Sequence, residues 1–295
     1  HRWLLSVTPT SLLLSVTPAP CKNDIIRHDM EFLKLVRKRS FLSELLYAVL
    51  NVGLAVAVLM SVWFTDSISL AIILVLLSKW RIFAVRPRYW WANLRSNMVD
   101  IILSLSVVLH LYSIATSDIA TGAQLLAMSG LTLLYIGWLL FVKPRSKKVF
   151  VIAQAGLALF MGTSALFTFA YDWPVSLVVV FMWLIAYSSA RHMLSAYDDE
   201  THALFLSLVW GVVAAEISWV AYHWAIAYPL PVLTGLMVPQ VAIIMTLISF
   251  VGYKAYDSFY KHAKIRANDI LLPLLFTLSV LVVLLVLFNR VGTAI

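Results

Sequence analysis

Glu216 stands near the centre of the apolar run from Leu204 to Tyr228, and Trp219 and His223 follow it at intervals of three and four. On a helix these three side chains form one stripe two turns long. An ionised carboxylate halfway across a bilayer is costly and as a rule faces a protein interior or a wet cavity. A membrane-buried carboxyl with a histidine to one side suits proton coupling or cation binding. The same carboxyl, protonated and hydrogen-bonded to a neighbouring helix, serves equally as packing glue.

Further along the chain, Asn93, Asn97, Asp100 and Ser104 recur at spacings of four, three and four, and Ser106 and His110 form an i, i+4 pair. These residues would line an aqueous path. Alternatively, the first four mark a helix N-terminus near water, with Asp100 placed favourably against the macrodipole, and His110 is a satisfied core histidine. Glu44 and Asn51 share a helix face, while Gln154 and Gln240 are isolated polar residues in apolar runs.

Two connectors carry concentrated charge. Arg191, His192, Asp198, Asp199, Glu200 and His202 cluster carboxylates and imidazoles that would hold a divalent cation beside a phosphate-bearing lipid. Their spacing matches no ligand motif, and solvated connector charge accounts for them, so His192, Asp198, Asp199 and His202 are only weak metal candidates and no cofactor is expected. The segment with Arg86, Arg88, Tyr89, Trp90, Trp91 and Arg95 reads as a lipid-headgroup anchor, with aromatic stems in the interface. Lys79, Arg86 and Pro87 fit the K-x6-R-P opening of phosphatidic-acid phosphatases, but the remainder of that signature is missing and the match is chance. The sequence also lacks a Gly-rich nucleotide loop, an HExxH motif, a nucleophile elbow and a rhodopsin-like lysine. One cysteine, Cys21, excludes an intramolecular disulfide and a cysteine-clustered zinc site.

The elements that must position these residues are set by composition. Of 295 residues, 62% are hydrophobic and 12% charged, with a mean hydropathy of +0.92. That balance excludes a soluble enzyme, a nucleic-acid-binding domain or a disordered chain, and fits an all-α, polytopic transmembrane helical bundle. Crossing ~30 Å of hydrocarbon takes ~20 apolar residues. Nine stretches near that length are expected: 41–64, 68–85, 97–116, 123–142, 149–170, 175–194, 204–228, 236–256 and 270–288. Pro229, Pro231, Gly235 and Pro239 before the eighth mark either an external loop or a broken, re-entrant entry.

Orientation follows from lysine and arginine, which cytoplasmic loops retain. Twenty of the twenty-two fall before the first span or in alternate connectors, leaving Arg290 on the other side and Arg2 near the start. The N-terminus is therefore expected inside and the C-terminus outside. The pI of about 9.6 matches anionic headgroups on the cytoplasmic side rather than nucleic acid. Trp80, Tyr89, Trp90 and Trp91 fall at the inner interface, and Trp63, Tyr171, Trp173, Trp224 and Tyr228 at the outer one.

Residues 1–29 contain LLSVTP twice, at Leu4–Pro9 and Leu13–Pro18, and are broken by prolines. They read as a disordered leader or a translated extension, with Met30 as the natural start. Residues 30–40 alternate Phe32, Leu35 and Val36 with Lys34, Arg37 and Lys38, which predicts a basic amphipathic helix at the interface. Residues 41–295 form the bundle. The leading functional expectation is a small-solute or ion transporter of a bacterial-type cytoplasmic membrane, with Glu216 and His223 at its coupling site and Trp219, His110 and Asp100 as further candidates. The rivals are a membrane-embedded enzyme acting on lipid or polyprenyl phosphate at the inner interface, and a non-catalytic scaffold or assembly subunit.

Overall fold

The computed structural model describes residues 22–197, 200–224, 226–230 and 233–287, without the side chains of 22–40, 229–230 and 233–236. The expected leader up to residue 21, Cys21, Asp198, Asp199 and Arg290 lie outside the described residues. Among the described residues nine α-helices follow one another: α1 Lys22–Thr65, α2 Ile68–Ser78, α3 Trp90–Ala115, α4 Thr121–Gly137, α5 Lys148–Phe169, α6 Val175–Leu194, α7 Ala203–His223, α8 Gln240–His262 and α9 Ala267–Val282. Helix α1 runs through residues 30–40 without a break into the first apolar stretch. Residues 1–49 and 50–295 are separate units.

Among the described residues seven helical segments are long and apolar enough to cross a membrane: Phe41–Thr65, Pro87–Ala115, Thr121–Val142, Lys148–Phe169, Val175–Leu194, Ala203–His223 and Ala267–Leu287. An integral membrane protein fits them. The expected nine crossings are not all supported by helix length and composition. Helix α2 has 11 residues, about 16 Å of rise, where the sequence predicted an apolar run to Val85. It leaves the α conformation at Lys79 (φ −93°, ψ 7°), a tight 3₁₀ turn follows at Trp80–Ile82, and Pro87 then holds Arg86 extended (φ −57°, ψ 138°) ahead of α3. Helix α8 has the length, but its last turns carry Lys254, Asp257, Lys261 and His262, and it is not among the seven.

Within residues 50–295, α3 and α5 form the centre. Helix α3 packs on α2, α4, α5 and α6, and α5 packs on α3, α6 and α8. Leu103, Val107, Leu111, Leu159, Leu166 and Met182 are buried between them. Helix α7 lies along α6, and α9 along α8. In place of the expected loop or re-entrant segment, the chain between α7 and α8 forms an antiparallel hairpin, β1 Ala227–Leu230 with β2 Leu233–Pro239. Ala227 pairs with Pro239 and Pro229 with Met237, and the register shifts between Pro229 and Leu230. The prolines sit at a strand end and beside this irregularity, where a missing ladder donor is tolerated. Strand β2 packs against α3, α5 and α8, and Gln240 is fixed beneath it by its own N–H donating to Ile226 O (2.7 Å) and its Nε2 donating to Tyr228 Oη (2.7 Å).

Candidate functional site

The connectors α2–α3, α4–α5, α6–α7 and the C-terminal turns of α8 meet at one end of the bundle, called here the basic end. Two carboxylates organise it. Asp100, 8% exposed on α3, receives both Lys79, at the end of α2, and Lys143 (2.9 Å), at the end of α4, on Oδ2. Trp138 Nε1 approaches Oδ1 at 3.5 Å. Burial lowers the Lys79 ammonium below its ordinary range in spite of the adjacent carboxylate. One turn along α3, the buried hydroxyl of Ser104 faces that of Tyr135 without a well-formed hydrogen bond.

Asp257, near the end of α8, is the second. Its Oδ1 accepts from Lys148 Nζ (2.8 Å) and from the Tyr197 hydroxyl (3.0 Å), and its Oδ2 pairs with Lys261 (2.5 Å). Lys148 Nζ lies 3.8 Å from the Tyr197 ring centre, a cation–π contact, and the Tyr197 ring meets Tyr256 and Tyr260 edge-on. Tyr256 in turn donates to Glu200.

Lys143 and Lys148 bracket one short connector, so that connector is tied to α3 at one side and to α8 at the other. Gln154 locks it from below. The last turn of α4 widens into a π turn, closed by Lys143 N–H donating to Trp138 O (2.9 Å), and leaves carbonyls without helical donors. Gln154 Nε2 donates to two of the connector's carbonyls, Val142 O (2.7 Å) and Arg145 O (3.0 Å), while its Oε1 accepts from His192 Nε2 (2.8 Å) on α6.

Asp257 gives this network a pH dependence. Burial works to raise its carboxyl, but the hydrogen bonds from Lys148, Lys261 and Tyr197 outweigh burial and hold it at about 2. A carboxylate depressed in the folded state stabilises fully above its unfolded value near 4, and that stability is lost as pH falls from about 4 to about 2. The shift corresponds to about 2 kcal/mol. Thermal unfolding measured across this window should show wild type losing stability more steeply than Asp257→Asn; parallel curves would remove the carboxylate from the account.

Between α5, α6, α7 and α8, in the half of the bundle nearer the basic end, lies a cavity of about 370 Å³. Helices α7 and α8 barely touch, and exposed Phe250 and Gly252 on α8 form part of its wall, so the cavity reaches the lateral surface between them. Its wall is almost wholly apolar, with Leu159, Met193, Leu206 and Trp210 prominent and no charged side chain. Tyr256 joins it to the basic end, since its ring lines the cavity and its hydroxyl binds Glu200.

The residues singled out in the sequence are not brought to this cavity. Glu216, Trp219 and His223 do form one stripe, with the Trp219 and His223 rings 5.1 Å apart, but all three are exposed on the outward face of α7. Glu216 borders two grooves on either side of α7, one with Phe167, Tyr171 and Gln240, the other with Val180, Trp183 and Trp219. The first of these is a cavity of about 330 Å³ between α5, α7 and α8. Helix α7 is apolar all round, so composition left the direction of its stripe open. His110 is buried at 5% exposure on α3 with Nδ1 unpartnered, away from the Asp100 cluster on the same helix.

Arg86, Arg88, Trp90, Trp91 and Arg95 are all exposed, as a headgroup anchor requires. Trp90 Nε1 is committed to the connector itself, donating to Phe83 O (3.1 Å) and Val85 O (3.0 Å), and Arg88 lies over the Tyr89 ring. Of the weak metal candidates, the His192 ring is engaged by Gln154, while His202 makes only a backbone contact, its main-chain N–H donating to Glu200 Oε1 (2.6 Å). No group of three or more metal-ligating side chains occurs among the described residues. Sequence reading missed the roles of Lys79, Lys143, Lys148 and Asp257, although Asp257 and Lys261 stand at i, i+4. No family model, curated protein or solved structure matches the chain.

Proposed function

We propose that this chain is an integral membrane protein that takes a lipid-soluble molecule from the bilayer into the α5–α8 cavity, as a carrier or transporter of that solute. The observation that carries the reading is a lateral, charge-free cavity of about 370 Å³, within the range of ~300–1,000 Å³ typical of ligand sites. Cationic connectors at the basic end support placing that end at the cytoplasmic face of a bacterial-type inner membrane, against anionic headgroups that Arg86, Arg88 and Arg95 would contact. Glu216 as a coupling carboxylate has less support, because its side chain is exposed on α7 and no cationic side chain is among the residues lining the cavity of about 330 Å³ that it borders. The enzyme reading finds no group of three or more metal-ligating side chains among the described residues, and Asp198 and Asp199 lie outside them.

Gly156 gives the test. A Cβ added there meets nothing within 4 Å, so Gly156→Leu projects into the cavity without displacing the backbone. After mild extraction, mass spectrometry of the wild-type protein should find a copurifying lipid-soluble species near stoichiometry, and Gly156→Leu should lower it at least about tenfold with helicity intact. Equal and negligible retention by both proteins would overturn the proposal. The assembly reading gains instead if Gly156→Leu changes nothing and Glu216→Leu releases a copurifying protein.

A further inference from the structure

On the cavity wall Thr246 Oγ1 donates along its own helix to Ala242 O (2.7 Å), as Ser207 on α7 does to Ala203 O (2.7 Å). The hydroxyls of Ser104, Ser188, Ser189, Ser218, Ser249 and Thr277 are buried and make no such bond, and of these Ser189 on α6 and Ser249 on α8 belong to the cavity. Both line the cavity, both hydroxyl oxygens are buried, and neither has a hydrogen-bond partner. Ser189 is 3% exposed. A buried hydroxyl without a partner is unfavourable, and neither Thr246, Tyr253 nor Tyr256 on the same wall is bonded to Ser189 or Ser249.

We infer that Ser189 and Ser249 are the specificity-determining groups of the cavity, and that its ligand is a neutral amphiphile with a hydroxyl or carbonyl on a largely hydrocarbon body. This rests on the reading of the cavity as a ligand site. Neutrality follows from the wall, which carries no charged side chain to compensate an ion in low dielectric. At the basic end, Lys148 and Asp257 are paired with each other and Glu200 accepts from Tyr256. A serine hydroxyl donates and accepts, so either an alcohol or a carbonyl satisfies it. An acyl tail without a polar group would leave both hydroxyls unpaired.

The test uses the full chain in nanodiscs and two probes of equal chain length, a terminally brominated long-chain alcohol and the matching bromoalkane. Bromine quenches Trp210, which lines the cavity, and subtracting Trp210→Phe isolates its signal among eleven tryptophans. With concentrations expressed as mole fraction in the bilayer, the alcohol should quench at roughly fivefold lower concentration than the alkane for one bond, and up to about twenty-fivefold lower for two. Ser189→Ala and Ser249→Ala should bring the alcohol toward the alkane, leaving alkane quenching unchanged. Equal quenching by both probes, indifferent to the serine variants, overturns this inference and leaves the cavity reading standing. If Gly156→Leu leaves quenching by both probes as in wild type, bromine is reaching Trp210 from outside the cavity, and the cavity reading fails with it.

Discussion

Asp100→Ala should destabilise the protein by about 3–5 kcal/mol, more than any other single polar substitution in the bundle. Lys79 and Lys143 converge on one oxygen of this carboxylate, and Lys79 is itself only 8% exposed. Without Asp100 two ammonium groups face one another where water reaches one of them poorly. Lys143, at 31% side-chain exposure, has a route to solvent; Lys79 does not. The double variant Asp100→Leu with Lys79→Met should therefore recover much of the loss, because it removes the trapped charge along with its partner and leaves only the cation that hydrates. Thermal or chemical unfolding of the three proteins in lipid-containing micelles checks this. An alanine variant within 1 kcal/mol of wild type, or a double variant no better than the single, would show that the cluster is hydrated and contributes little.

That cluster also shows where sequence reading stops. Lys79 and Lys143 were legible as membrane topology signals, because short connectors keep cations on one face. Their convergence on Asp100 depends on α2 and α4 both packing against α3, and helical periodicity within α3 says nothing about its neighbours. The long apolar helices were legible for the opposite reason: length and composition alone decide whether a segment spans. Periodicity correctly set Glu216, Trp219 and His223 on one stripe of α7. It left the stripe's direction open, and packing against α6 turns it outward. The cavity had no sequence signal at all, since its wall is assembled from small and apolar residues of four helices, each ordinary in its own segment. The hairpin before α8 was hidden by its prolines, which argue against a central strand and are tolerated in an isolated two-stranded pair.

Two glycines on α5 should respond to the same substitution with opposite sign. A Cβ at Gly162 would lie 2.8 Å from Ile102 Cγ2 and 3.0 Å from Ile185 Cγ2, both closer than packed carbons approach. These are methyls on β-branched side chains of α3 and α6, stiff at χ1 and enclosed by the core, so the neighbours cannot swing aside and the helices must part. Gly162→Ala should cost about 1–3 kcal/mol. Gly156, less than two turns earlier on the same helix, has nothing within 4 Å of the added carbon. There alanine only relieves the conformational cost of a helical glycine, and Gly156→Ala should stabilise by up to about 1 kcal/mol. The contrast isolates packing from helix propensity, because the backbone element, the residue removed and the residue added are the same in both. Unfolding midpoints measured side by side decide it. Loss at both positions would mean that the wall around Gly156 closes in the membrane, and gain at both would mean that α3, α5 and α6 are less tightly joined than the Gly162 contacts require.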